Sequence, residues 1–395
     1  MTEPAAPKKI TVLGATGSIG KSALDVVRKY PGRFEVIGLG AHSNVALLAE
    51  QVREFQPRFV AVSDPEAAKH YAALGLAPTL LCGMDGMNAL ASEPVDVVLC
   101  ALVGAVGIHP LIAAIRAGNN VAVANKEPFV MAGEVVMAEA RARGVSILPV
   151  DSEHNAVFQC LQGVAKEDVA CIHLTASGGP FYRRDRESLR EIRPEEAMRH
   201  PTWEMGAKIS VDSATLMNKG LEIIEAMWLF GLPESQIQVV IHPQSIVHSL
   251  VEFKDGNILA QLGITDMRFP ILFALSYPDR VQCPMDRLDL TRMQALTFDR
   301  PDFSAFPCLR LAREAAARGG TAPAILNAAN EEAVAAFCGR RLPFLGISEV
   351  VEAVCAQCPP VFHVDLETVL DADRQARETA RRVMENNGSL MSWKS

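Results

Sequence analysis

Short apolar runs alternate with longer amphipathic stretches over the first 150 residues. The runs at 8–13, 34–40, 59–63, 79–82, 95–100, 120–125 and 145–150 have the length and composition of strands. Between them apolar side chains recur at helical spacing, as from Ser18 through Arg28. This alternation predicts an α/β fold with a mostly parallel, doubly wound sheet. After residue 150 the rhythm changes. A strand from His173 runs into a glycine-rich turn, 223–229 reads as a helix, and 241–248 and 257–263 read as antiparallel strands. Prolines 278, 284, 301 and 307 then punctuate the chain. Helical periodicity returns at 308–318, 323–337, 348–355 and 366–385, with Gly319 and Gly320 as a break. The pattern predicts a doubly wound domain at 1–150, an α+β domain at 151–285, a linker at 286–302 and a helical domain at 303–395.

Bulk properties narrow the function. Hydrophobic residues make up 49% of the 395 and charged residues 21%, enough for an ordinary globular core. A net charge of −8 leaves no footprint for nucleic acid or anionic lipid. No apolar run approaches the ~20 residues that span a bilayer. The first strand starts near Lys8, which argues against a leader peptide and for a cytoplasmic location. Nine cysteines, scattered through apolar segments, fit small buried hydrophobes in a reducing compartment. Cys355 and Cys358 form a CxxC pair without the second pair that a zinc site needs.

Candidate chemistry starts at the first strand. Gly14, Gly17 and Gly20 form a GxxGxxG turn between a strand and a helix, the setting in which backbone approaches a pyrophosphate at a helix N-terminus. A tight βα turn alone would use the same glycines. After the second strand comes His42-Ser43-Asn44, with no acid to hold an NAD ribose 2′-hydroxyl. Polar, non-acidic residues there fit a 2′-phosphate, hence NADP. Asn125 ends the sixth run, and Lys126 and Glu127 follow it at the carboxyl end that lines the ligand crevice of such sheets, a place where they could equally be surface residues.

Asp151 and Glu153 stand at i and i+2 after the seventh run. On an extended segment both carboxylates point to one side, as a hard divalent cation requires. The same residues suit a helix beginning near Glu153, with Asp151 or Ser152 as its cap. Ser177, followed by Gly178 and Gly179, can cradle a phosphate or simply turn the chain. Residues 199–206 carry His200, Trp203, Met205 and Gly206 without periodicity, as a lid over a substrate or an ordinary structural loop would. Ser213 is expected near the start of the helix that follows, where an anion is favoured. Asn218 and Glu222 are i, i+4 and share a face, with Lys219 beside them, and on spacing alone that face reads as a solvated one. His242 and His248 read as packing residues, and 327–332 carries no assigned chemistry.

Taken in order, GATGSIG, ANKE, PVDSEHNA, TASGGPF, RHPTWEMG, ISVDSATLMNKGLE and HPQSIVHS cover nearly the whole chain. The sequence resembles the 1-deoxy-D-xylulose 5-phosphate reductoisomerase family of the non-mevalonate isoprenoid pathway. The resemblance implies an NADPH-binding domain, a catalytic and dimerising domain, a C-terminal helical domain, a homodimer, and one Mg²⁺ or Mn²⁺ per site. It implies Asp151, Glu153 and Glu222 as metal ligands. Lys126 and Ser152 would meet the hydroxyl and carbonyl end of the substrate. Ser177, Ser213, Asn218 and Lys219 would hold its phosphate, and His200, Trp203 and Met205 would close over it. Thr16, Gly17, Ser18, Ile19, Ser43, Asn44, Asn125, Glu127 and Gly206 would touch NADPH. The implied reaction rearranges a 2-ketose phosphate to a branched aldehyde and reduces it with hydride, by fragmentation and recombination or by a direct shift. Two departures stand out: His42, where the family often has Gly, and Pro128, where Ser or Thr is common. Two alternatives are a metal-independent NADP dehydrogenase acting on a sugar phosphate or semialdehyde, and a non-catalytic NADPH-sensing dimer.

Overall fold

The computed structural model describes residues 6–203, 205–293 and 295–386. Glu204, quoted within the lid motif, lies outside them. The chain forms two compact units. The first takes in Met1–Pro128, Val136–Asn155 and Asp266–Asp286; the second takes in Phe129–Val135, Ala156–Thr265 and Arg287–Ser395.

The first unit is built on a seven-stranded parallel sheet. Its strands are β1 (Lys8–Leu13), β2 (Phe34–Ala41), β3 (Phe59–Val62), β4 (Thr79–Cys82), β5 (Val97–Cys100), β6 (Asn120–Val123) and β7 (Ile147–Pro149). Their order is β4-β3-β2-β1-β5-β6-β7, so the sheet winds outward in one direction from β1 and then in the other from β5. The point of reversal, beside the carboxyl end of β1, is where such sheets bind ligands. Helices α1 (Ser18–Lys29), α2 (Val45–Phe55), α3 (Pro65–Ala72), α4 (Gly83–Ser92), α5 (Ile108–Arg116) and α6 (Glu127–Arg143) connect the strands. The central strands are buried on both faces, which is why they read as continuous apolar runs. The helix Arg268–Ser276 packs on α1 within this unit, and Arg268 donates to Asp25 at 2.8 Å. Pro128 is the second residue of α6, a first-turn position where its missing N–H costs nothing, so the helix starts normally. The helix breaks at Ala132 (φ −138°, ψ 33°); a Cβ on the neighbouring Gly133 would lie 2.1 Å from the Trp228 ring.

Of the two readings of this stretch, the helix cap is the one that forms. Asp151 and Glu153 are not on an extended segment, because α7 (Ser152–Cys160) begins directly after β7. Asp151 instead caps it, its Oδ1 accepting the Glu153 N–H at 3.2 Å and its carbonyl the Asn155 N–H at 2.8 Å. Three apolar residues are enough for β7, and the polar run DSEHN then has the side chains of a helix start.

The second unit carries a four-stranded mixed sheet of β8 (Val169–Ala176), β9 (Ile237–Ile241), β10 (Val247–Phe253) and β11 (Ile258–Leu262), ordered β11-β10-β8-β9. β8 and β9 are parallel, and β10 runs antiparallel to β8 and β11. The crossover from β8 to β9 contains α8 (Pro194–Ala197), α9 (Ala207–Ala214) and α10 (Met217–Phe230). The stretch expected as one strand at 241–248 is instead a strand end, a turn and a strand start. Buried His242 holds that turn: its Nε2 accepts the Ile246 and Val247 N–H groups, each at 3.2 Å, and its Nδ1 donates to the Thr297 carbonyl at 2.9 Å.

With Arg268–Ser276 counted as α11, four further helices follow: α12 (Pro307–Arg318), α13 (Ala322–Cys338), α14 (Phe344–Gln357) and α15 (Leu366–Asn386). α13 is buried along most of its length and packs against α14 and α15. No helix among the described residues is long and apolar enough to cross a membrane.

Candidate active site

In the first unit the glycine turn is set by sterics. Gly14 has φ +89°, and a Cβ there would sit 2.4 Å from the Ala101 carbonyl oxygen. A Cβ on Gly20 would lie 2.2 Å from the Gly14 carbonyl oxygen, so α1 can close on the turn only with glycine at that place. Gly17 is the N-cap of α1, with no side chain capping the helix and no acid in its first turn. The helix end is thus shaped to receive a negative group. Thr16, Gly17, Ser18 and Ile19 all belong to this turn or the first turn of α1.

Asn125 closes β6. Its amide nitrogen donates to Glu127 Oε2 and, at 3.4 Å, to the Gly104 carbonyl. Its Oδ1 is buried without a hydrogen-bond partner among the described residues. An orphaned acceptor beside the strand edge, together with the glycine cradle, fits a dinucleotide whose amide or hydroxyl groups can donate.

A buried ion pair links the next residues. Lys126 Nζ lies 3.0 Å from Asp151 Oδ2, with side chains 6% and 13% exposed. The other Asp151 oxygen is 3.0 Å from His154 Nδ1. His154, fully buried, was missed in the sequence, although it stands inside the DSEHN run. It fixes the carboxylate of Asp151 as outer partners fix a metal ligand. Ser152 Oγ donates to Glu153 Oε2. Asn155 anchors the start of α7 by donating to the Pro149 carbonyl at 2.8 Å. Two carboxylates on one helix start offer the oxygen donors that Mg²⁺ or Mn²⁺ takes.

In the second unit β8 delivers Ser177 to a turn with Gly178 at φ +86° and Gly179 at φ +70°. Ser177 Oγ accepts the Gly179 N–H at 3.1 Å and is 2.9 Å from His200 Nε2. His200 Nδ1 accepts the Trp203 N–H at 3.0 Å and the Thr202 N–H at 3.3 Å. That assigns the ring proton to Nε2, which donates to Ser177. Ser177 therefore keeps its own hydroxyl proton to give to an acceptor such as a phosphate oxygen. The Trp203 ring stands 6.3 Å from that of His248.

Gly179 packs on the end of α9: a Cβ there would meet the Ser213 carbonyl oxygen at 2.8 Å. Ser213 was expected at the start of a helix and is found in the last turn of α9. The cause is Leu216, at φ +59°, which breaks the helical path and starts α10 at Met217. On α10 the expected shared face forms. Asn218 Nδ2 donates to Glu222 Oε1 at 2.5 Å, and Lys219 Nζ pairs with Oε2. Glu222 is 1% exposed, so its charge is compensated by Lys219 rather than by solvent. Gly206 is the N-cap of α9 and accepts from Ser210 Oγ at 3.0 Å.

Three family profiles match the chain: "1-deoxy-D-xylulose 5-phosphate reductoisomerase" at residues 10–133, its C-terminal domain at 147–230, and "DXP reductoisomerase C-terminal domain" at 262–379. Among curated relatives, the 1-deoxy-D-xylulose 5-phosphate reductoisomerase of Symbiobacterium thermophilum is 53% identical over 381 residues, covering 95% of this chain and 98% of the relative. That of Gloeobacter violaceus is 52% identical over 386 residues, covering 96% and 98%. Among solved structures, the reductoisomerase from Zymomonas mobilis in complex with NADPH aligns with TM-score 0.90 and 42% identity, covering 96% of this chain and 99% of that one. A DOX-P reductoisomerase in complex with NADPH, fosmidomycin and magnesium aligns with TM-score 0.91 and 42% identity, covering 96% and 98%.

Proposed function

The chain belongs to the 1-deoxy-D-xylulose 5-phosphate reductoisomerase family, and from that premise we propose that it converts 1-deoxy-D-xylulose 5-phosphate to 2-C-methyl-D-erythritol 4-phosphate using NADPH and a divalent metal ion. The observation that carries this reading is an identity of 53% over 381 residues, which covers 95% of this chain. Neither a metal-independent dehydrogenase nor an NADPH sensor is favoured by relatives of this kind.

Asp151, Glu153 and Glu222 would ligate Mg²⁺ or Mn²⁺. When bound, the metal would polarise the substrate ketone and acidify the adjacent hydroxyl, and the nicotinamide would supply the hydride. Ser152 and Lys126 would meet the hydroxyl and carbonyl end, where the ammonium of Lys126 balances carboxylate charge. Ser177, Ser213, Asn218 and Lys219 would hold the phosphate. Supporting this, Ser177 accepts from both His200 and Gly179 and so has a hydroxyl proton to donate. His200, Trp203 and Met205 would cover the substrate and keep water out while the carbon skeleton is rearranged. Thr16, Gly17, Ser18, Ile19, Ser43, Asn44, Asn125, Glu127 and Gly206 would contact NADPH. The division into domains at 1–150, 151–285 and 303–395, joined by a linker at 286–302, remains part of this proposal.

A homodimer belongs to the reading as well. β11 is an outer strand of its sheet and presents Ile258 and Leu259 half exposed, at 51% and 50%, an edge suited to cover by a second copy.

The test is NADPH absorbance in the presence of 1-deoxy-D-xylulose 5-phosphate and Mg²⁺ or Mn²⁺, with and without EDTA. Substrate-dependent oxidation that EDTA abolishes supports the reading. Oxidation that survives EDTA contradicts the role of the three carboxylates.

A further inference from the structure

The edge of the first sheet where β2 ends holds a residue that the site described above does not use. Gly14 and Ala15 N–H groups both donate to the Gly40 carbonyl, at 2.9 and 2.8 Å, so the end of β2 is locked to the glycine turn. Gln51 of α2 reinforces the lock by donating to the Ala15 carbonyl at 2.9 Å. His42 follows two residues after Gly40 and is exposed. In dinucleotide folds this is the place that meets the adenosine ribose, with an acid for a 2′-hydroxyl or a cation for a 2′-phosphate.

The stretch after β2 offers one candidate for the cation. Between Gly40 and Gln51 His42 is the only side chain able to carry positive charge, and the acid in that stretch, Glu50, lies on the exposed side of α2. Asn44 is engaged as the cap of α2, accepting the Leu47 N–H at 3.2 Å. From the adjoining β3–α3 turn, Asp64 is engaged in the same way, its Oδ1 accepting the Ala67 N–H at 2.7 Å. Ser63 from that turn holds the ring: its Oγ is 2.9 Å from His42 Nδ1, while the Asp64 N–H donates to the His42 carbonyl at 3.2 Å. A charged imidazole has two N–H donors. Ser63 Oγ is placed to accept one of them, and a 2′-phosphate oxygen could accept the other.

We propose that His42, steered by Ser63, is the residue that selects NADPH over NADH by pairing with the 2′-phosphate. The proposal rests on the NADPH reading above and adds to it the side chain that discriminates.

The test is equilibrium binding of NADPH and NADH to the full chain, read by nicotinamide fluorescence without substrate, with thermal melts as a folding control. His42→Gln keeps a partner for Ser63 and removes the charge. It is expected to weaken NADPH about tenfold, the range of a charge-assisted hydrogen bond, and to leave NADH within about twofold. Ser63→Ala, which frees the ring, is expected to lose part of the same discrimination. Added salt should narrow the NADPH preference of the wild-type chain and not that of His42→Gln. Equal loss of both cofactors in His42→Gln, or loss of neither, overturns the proposal. A wild-type chain that binds both cofactors equally overturns the NADPH reading itself, and His42 with it.

Discussion

Asn330 donates its amide N–H to Asp212 Oδ1 at 2.8 Å, with both side chains buried and the two residues 118 positions apart in sequence. The other Asp212 oxygen lies 3.0 Å from Lys208 Nζ. Asp212 immediately precedes Ser213, so a side chain on α13 fixes the end of α9 that bears a proposed phosphate ligand. Asn330→Ala leaves a buried carboxylate oxygen short of a donor, at a cost of about 1–3 kcal/mol. The expected result is a lower melting temperature with roughly tenfold higher KM for substrate and kcat changed less than about twofold. A melting shift with unchanged KM would reduce Asn330 to a structural part of the bundle.

Glu222→Gln removes a charge from the cluster with Asn218 and Lys219. NADPH affinity is expected to stay as in the wild type, while metal affinity falls and kcat drops by at least about 100-fold. Calorimetric titration of Mg²⁺ or Mn²⁺ alongside steady-state kinetics checks both halves. Wild-type turnover in this variant would remove Glu222 from the metal set.

Trp203→Ala tests the lid. The Trp203 N–H orients His200, and a backbone donor survives the substitution, so only the cover is lost. KM should rise or kcat fall while metal affinity is kept. Retention of both kinetic constants would make the segment a spectator.

Gly14→Ala probes the cofactor turn. A Cβ placed 2.4 Å from the Ala101 carbonyl oxygen, at φ +89°, forces the turn open. NADPH binding should be lost or weakened by more than about tenfold, at a stability cost on the order of 1–3 kcal/mol. Unchanged NADPH affinity would show that the cofactor does not use this turn.

Thiol chemistry separates the CxxC motif from a redox role. Burial pushes the thiols of Cys100, Cys308 and Cys355 up to about 12. They remain protonated, and so unreactive, at every pH below that range. Titration of the native chain with a thiol reagent at pH 8 should label exposed Cys82 and spare these three. Rapid labelling of Cys355 would contradict the burial.

What could be read from the sequence was local. The glycine turn, the strand runs of the first 150 residues and the Asn218–Glu222 face depend on neighbours within a few residues, and each forms where its spacing predicts. What escaped was set by partners far along the chain or by a single backbone angle. Leu216 at φ +59° separates α9 from α10 and leaves Ser213 at a helix end rather than near a helix start. No residue pattern announces a left-handed leucine. The turn after β9 is held from Thr297, 55 residues on, so 241–248 looked like a strand. His154 carries no signal of its own in the sequence, since its role is defined by the Asp151 carboxylate it meets in the fold. Asn330 carried no signal, since its function is defined only by Asp212.

The central claim is rearrangement joined to reduction, and the most direct measurement is the carbon skeleton of the product. Substrate labelled with ¹³C, NADPH and Mg²⁺ should give, by NMR, a methyl-branched polyol phosphate, one molecule for each NADPH oxidised. An unbranched reduced product, or oxidation of NADPH without skeletal change, would contradict the account.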